Sequence, residues 1–517
     1  MFVENLKKTL NDESSVTENG ALGYKTTGKE LLDINFSVTS MRNMDEQQII
    51  NKFVKTFYED KLLAVKWLFF ARDVREGIGE RRLFRICMKY LAENHIEIAK
   101  GLLHMIPEYG RWDDLLCLLD TKLCDDVMNI ISDQLDEDII NKVDGKPISL
   151  LAKWLPSANS SSKETKRLAR IVISKLGKSD GMSDRTYRKL LSELRAYLKV
   201  VEVSMSANKW TNIEYTAVPS RANLIYGDAF LKHDEERRKA YLDSLQKGET
   251  KINAGVLFPH DIVHKYCGSG WNATTKNYDA TLEELWKALP DYVDGAGNTI
   301  CVADGSGSMT STVGKTKVSA LDVANALAIY FSERCFREFK DKYITFSGSP
   351  KLVNLQNGKS LKEKIEIARK YNEVANTNIE AVFDLILQTA INSNMKQEDL
   401  PQNILILSDM EFDSCVSCGT DSWGVHRPQK KLFDEFADRY AEHGYKLPRL
   451  VFWNICSRTG TIPVRENDLG VALVSGFSPA IVKMVLSNST NPFECLLEQI
   501  NSERYKPVED AIKDLVA

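Results

Sequence analysis

Short apolar runs alternate with helical periodicity through the last part of this 517-residue chain, and that alternation most constrains its fold. The runs lie at 299–304, 342–347, 351–356, 403–408, 449–455 and 470–475. Several are near-continuously apolar, as strands buried on both faces are. Helical patterns fall at 317–335, 360–370, 379–394, 429–443 and 478–487. Strand and helix in alternation predict a parallel sheet with helices on both faces. Ser347-Gly348-Ser349-Pro350 is a turn that lets the 351–356 strand return antiparallel.

The first run ends in Asp304-Gly305-Ser306-Gly307-Ser308. This turn offers one carboxylate and two hydroxyls at every second residue, a set of hard oxygen donors suited to Mg2+. It stands where open α/β sheets bind ligands, at the C-terminal end of a strand. The D-x-S-x-S spelling resembles the metal-ion-dependent adhesion site (MIDAS) of von Willebrand factor A (vWA) domains. Order, number and spacing of the elements resemble that doubly wound, Rossmann-like fold as well. The resemblance implies a threonine from a second loop and an aspartate from a third. Thr377, before the 379–394 helix, and Asp409, after Ile404-Leu405-Ile406-Leu407-Ser408, stand at those places. Asn378 is expected to cap that helix. Asp304, Ser306, Ser308, Thr377 and Asp409 are thus the expected ligands of a divalent cation, Mg2+ first. One position is left for water or for an acidic group of a protein partner.

Three other motifs are weighed and set aside. Gly314-Lys315-Thr316 lacks the glycine five residues earlier that a P-loop needs; Met309 is there. Asp304 stands where a G-x-S-x-G nucleophile elbow has its first glycine. Cys415, Cys418 and His426 lack the second ligand pair of a strong zinc signature. No general base and nucleophile share a site, so an enzyme is the least expected class.

The chain is long enough for two or more cores. Its charge of -4 announces no nucleic-acid binder globally, although a local basic face is compatible with it. No apolar run nears the ~20 residues of a membrane span. The first residues carry no apolar signal core. Ten scattered cysteines fit reduced thiols in a cytoplasmic protein.

Up to about 290 the sequence reads as helices, with segments such as 61–70, 83–91, 115–119, 127–135, 168–176 and 190–203. Loosely spaced helix pairs suggest a repeat array of the HEAT type. The expected division is a 1–40 N-terminal segment, a 41–290 helical domain and a 291–517 vWA domain. Phe70–Arg82, with four arginines around a turn, and Pro107–Leu116 resemble repeat junctions of the TROVE module of Ro ribonucleoproteins. With Tyr24–Gly28 they look closer still to a little-characterised family of TROVE-like proteins with a vWA tail, many known only as a domain of unknown function. That resemblance implies binding of small non-coding or misfolded RNA.

The charge pattern adds a candidate face. Residues 141–210 hold fifteen Lys/Arg against six Asp/Glu. Lys163, Lys166, Arg167 and Arg170 recur at helical spacing. Arg185, Arg188, Lys189, Arg195 and Lys199 continue the trend, with Tyr187, Tyr197 and Trp210 interleaved. Such side chains gain affinity by displacing phosphate counterions, and aromatic rings stack on unpaired bases. The expectation is a Ro-like RNA-binding protein. The alternative is a metal-dependent protein–protein scaffold that needs no RNA.

Overall fold

The structure is a computed structural model. It describes residues 14–20, 22–180, 182–268, 275–293, 298–372, 378–412, 432–464, 470–485 and 491–516. The chain forms two compact units, Met1–Met44 with Leu257–Gln499, and Asp45–Val256 with Ile500–Ala517. This differs from the division expected at 40 and 290. The sheet unit takes in both the N-terminal segment and helices after 257, and the helical unit takes back the last helix.

In the sheet unit, Ser14–Val16 (β1) pairs antiparallel with Leu22–Tyr24 (β2). The main sheet holds Thr299–Asp304 (β3), Lys342–Phe346 (β4), Leu352–Asn354 (β5), Asn403–Ser408 (β6), Arg449–Asn454 (β7) and Val471–Ser475 (β8). Their order is β5-β4-β3-β6-β7-β8. Every pair is parallel except β4–β5, which the Ser347–Pro350 turn makes antiparallel. The chain therefore runs outward from β3 to one edge, returns to β6, and runs outward to the other. Between β3 and β6 lies the switch point, where the loops diverge and leave a crevice. β3 is buried along its whole length, which its apolar run already required.

The N-terminal segment joins this unit by local bonds. Tyr24 bridges Ile462, and the Thr39 and Ser475 hydroxyls lie 3.0 Å apart in a buried contact. Neither was visible in the sequence, because the partners lie more than 400 residues apart.

The helical unit contains Glu46–Glu59 (α1), Lys61–Arg72 (α2), Arg81–Asn94 (α3), Cys124–Val143 (α4), Lys163–Asp180 (α5) and Asp184–Tyr197 (α6). Asp45 and Asp60 accept backbone N–H groups at the starts of α1 and α2, the usual N-cap role. α2 is buried from Ala64 to Arg72. Trp67, Leu68, Phe69 and Phe70 are inside, and each contributes about 1.5–3 kcal/mol by burial. The turn after α2 depends on Gly77, since a Cβ there would sit 2.0 Å from the Phe70 carbonyl oxygen. The expected 190–203 helix is two pieces, broken where Lys199 takes φ 51°. The last helix, Lys506–Val516, is pinned by Lys66, whose Nζ donates to Glu509 at 2.6 Å.

Candidate metal centre and basic face

β3 and β6 end side by side at the switch point, and each delivers an aspartate there. Asp304 is 1% exposed and Asp409 2%. Asp304 Oδ1 accepts the Ser306 N–H at 2.9 Å, and Oδ2 accepts the Ser408 hydroxyl at 2.7 Å. The Ser306 and Ser308 hydroxyls lie 2.9 Å apart. After Asp409 the chain turns through Met410 at φ 63°, a left-handed conformation that costs a side-chain-bearing residue about 1 kcal/mol or more. Met410 N–H donates back to Ser408 Oγ at 3.1 Å, which helps hold the turn.

Two buried carboxylates at one crevice repel each other. Burial, and then the neighbouring Asp409, push the Asp304 carboxyl up to about 7. Burial also raises Asp409, against the pull of the Ser308 hydroxyl and the Arg458 guanidinium. Among the described residues no hydrogen-bond donor reaches the buried Asp409 Oδ2. Arg458 stands 3.5 Å from it and pairs at the same time with Glu18. A buried carboxylate oxygen without a donor is costly unless a cation meets it. Oxygen donors alone, two of them carboxylates, fit a hard divalent ion. Among the described residues no group of three or more His, Cys, Asp or Glu side chains is arranged to hold a metal.

Thr377 lies outside the described residues, as do Cys415, Cys418 and His426. Its neighbour Asn378 caps the next helix as expected, accepting Ala381 N–H at 3.1 Å. Thr316, of the P-loop-like triplet, donates its hydroxyl to the Val313 carbonyl within a turn.

Sequence reasoning missed the supports of this centre. Glu411 accepts the backbone N–H groups of Glu18 (2.9 Å), Arg458 (2.8 Å) and Thr459 (2.9 Å), and the Thr459 hydroxyl at 3.0 Å. These bonds hold its carboxyl below the usual range despite burial. Glu411 so fastens the β1–β2 segment and the loop after β7 beside Asp409. The S-D-M-E spelling at 408–411 was the only available signal.

The basic face divides in two. Arg167 is committed to Asp120 and Glu164, each at 2.7 Å. Arg195 donates to the Ala152 and Leu155 carbonyls and to Ser157, and so serves as an internal staple. Lys189 stands 4.0 Å from Glu193. Lys163, Lys166, Arg170, Arg185, Arg188 and Lys199 make no ion pair among the described residues. Of the interleaved aromatics, Tyr187 is core, donating to the Pro156 carbonyl, and Tyr197 donates to the Lys146 carbonyl. Trp210 stacks on His233 with ring centroids 4.5 Å apart.

A family profile described as a domain of unknown function (DUF2828) matches residues 17–133 and 121–298, more than half of the chain. The chain belongs to the DUF2828 family. A second profile, also a domain of unknown function (DUF7788), matches residues 298–513 of this DUF2828 protein. It is 31% identical over 534 residues to the uncharacterized protein L728 of Acanthamoeba polyphaga mimivirus, across 96% of this chain and 88% of that one. Among solved structures it is similar to the crystal structure of the Deinococcus radiodurans Ro (RSR) protein, at 13% identity and a TM-score of 0.38, covering 86% of this chain and 91% of that one. No helix among the described residues is long and apolar enough to cross a membrane.

Proposed function

We propose that this DUF2828 protein is a Ro-like RNA-binding protein with no catalytic role, whose helical unit holds small or single-stranded RNA and whose sheet unit is a vWA-type domain with a divalent-cation site. The observation that carries the RNA reading is the row of unpaired cations. Six exposed or half-buried side chains on and beside α5 and α6 have no acidic partner among the described residues, which leaves them available to phosphate oxygens. A basic side chain already paired at the surface, as Arg167 is with Asp120 and Glu164, has less to offer a phosphate.

The cation reading is supported by the buried Asp409 Oδ2 and its neighbour Asp304. Asp304, Ser306, Ser308 and Asp409, with Thr377, would hold Mg2+. The bound ion would supply a Lewis-acidic position for an anionic group. The chain's own residues orient it: Ser408 fixes Asp304, and Glu411 keeps Arg458 beside the crevice. This centre also supports a second reading, cation-dependent capture of an acidic protein without RNA.

Sequencing of nucleic acid that co-purifies with the protein tests the proposal. Wild type should retain a restricted set of RNAs, and a variant with Lys163, Lys166, Arg170, Arg185, Arg188 and Lys199 changed to glutamate should lose them. Equal recovery from both proteins would move RNA binding off this face, and no recovery from wild type would contradict the RNA reading and favour the second.

A further inference from the structure

A cleft of about 520 Å³ opens in the helical unit, walled by α3, α5 and the segments around Asp113 and Trp154. Its volume falls in the range of small-molecule sites. One wall is apolar, formed by Leu116, Trp154, Pro156 and Leu168. The other is basic, with Arg81, Arg82, Arg85 and Lys89.

The ion pairing on the basic wall is unbalanced. Three guanidiniums converge on the single carboxylate of Asp113: Arg111 at 2.8 Å, Arg85 at 3.0 Å and Arg81 at 3.6 Å. Asp114, wholly buried behind it, already serves Arg72 at 2.7 Å and Arg85 at 2.6 Å. Four guanidiniums therefore share two carboxylates. Lys89 lines the cleft and makes no ion pair among the described residues. The cleft lining itself holds five cations, Arg81, Arg82, Arg85, Lys89 and Arg167, and four carboxylates, Glu46, Asp113, Asp120 and Glu164. The Arg111 guanidinium lies 3.9 Å over the Trp154 ring, which fixes the indole at the cleft wall.

We propose that this cleft binds one nucleotide unit, its phosphate on Arg81 and Lys89 and its base on the Trp154–Pro156 wall. Guanidinium forks match phosphate oxygens, and a flat apolar wall takes a base without reading its sequence. The proposal deepens the RNA reading and rests on it for the source of the nucleotide. A free mononucleotide carries the same chemistry.

The test uses the full chain. Fluorescence anisotropy with a labelled ten-residue oligouridylate is measured from 50 to 200 mM salt, and UMP binding is followed by calorimetry. Arg81→Glu/Lys89→Glu is compared with Lys247→Glu, an exposed control. Thermal melting checks that each variant is folded. The double variant should bind oligouridylate at least about tenfold more weakly, with a salt slope reduced by about one or two. The control should match wild type. Oligouridylate and UMP binding equal to wild type in the double variant would overturn the cleft site while leaving the RNA reading intact. No binding of either probe by wild type would overturn both. UMP binding that the double variant loses, without oligouridylate binding, would support the cleft as a mononucleotide site and remove RNA as its source.

Discussion

Ser408 Oγ donates a 2.7 Å hydrogen bond to Asp304 Oδ2, tying the ends of two adjacent parallel strands at the switch point. The bond helps to hold a buried carboxylate in place. Ser408→Ala should cost about 1–3 kcal/mol in metal-free buffer, the range for stripping a partner from a buried polar group. Chemical denaturation of the sheet unit measures it. An unchanged midpoint would mean that Asp304 is anchored by other contacts.

Asp409→Asn should behave differently. It removes a buried charge whose Oδ2 has no donor, so metal-free stability should hold or rise. The same change should abolish stabilisation by Mg2+. Wild type should gain about 2.7 kcal/mol at magnesium one hundredfold above its Kd. Melting curves with Mg2+ and with EDTA separate the two effects. Equal magnesium shifts in both proteins would place the ion elsewhere.

Glu411→Ala should orphan the N–H groups of Glu18, Arg458 and Thr459 together. A loss of about 3 kcal/mol or more is expected, each orphaned group costing about 1–3 kcal/mol. Limited proteolysis should then cut the β1–β2 segment earlier than in wild type.

In the helical unit, Asp114→Ala should leave Arg72, itself buried, without its carboxylate. Breaking a buried pair costs about 3–5 kcal/mol. Helical circular dichroism in a denaturant series should show it, and Asp113→Ala should cost less, because Asp113 is partly exposed.

The strands of the main sheet were legible because strands buried on both faces announce themselves as apolar runs. Even the antiparallel β5 followed from the Ser347–Pro350 turn. Asp304 and Asp409 were legible for a related reason: each directly ends or follows such a run. The supports were not. Glu411 works through Glu18, 393 residues away, and nothing local in either segment signals the bond. The unit boundaries failed similarly, since Lys66 and Glu509 meet only through folding. Charge counting overstated the basic face. It could not distinguish Arg167, neutralised by Asp120, from Arg170 one turn away.

The most direct measurement is the affinity for single-stranded RNA as a function of salt. Each phosphate neutralised on a single strand contributes about -0.7 to the slope of log K against log salt, so six engaged cations predict a slope of about -4. A steep slope that collapses when Lys163, Lys166, Arg170, Arg185, Arg188 and Lys199 are reversed is the predicted result. A flat slope, or no binding at low salt, would contradict the account.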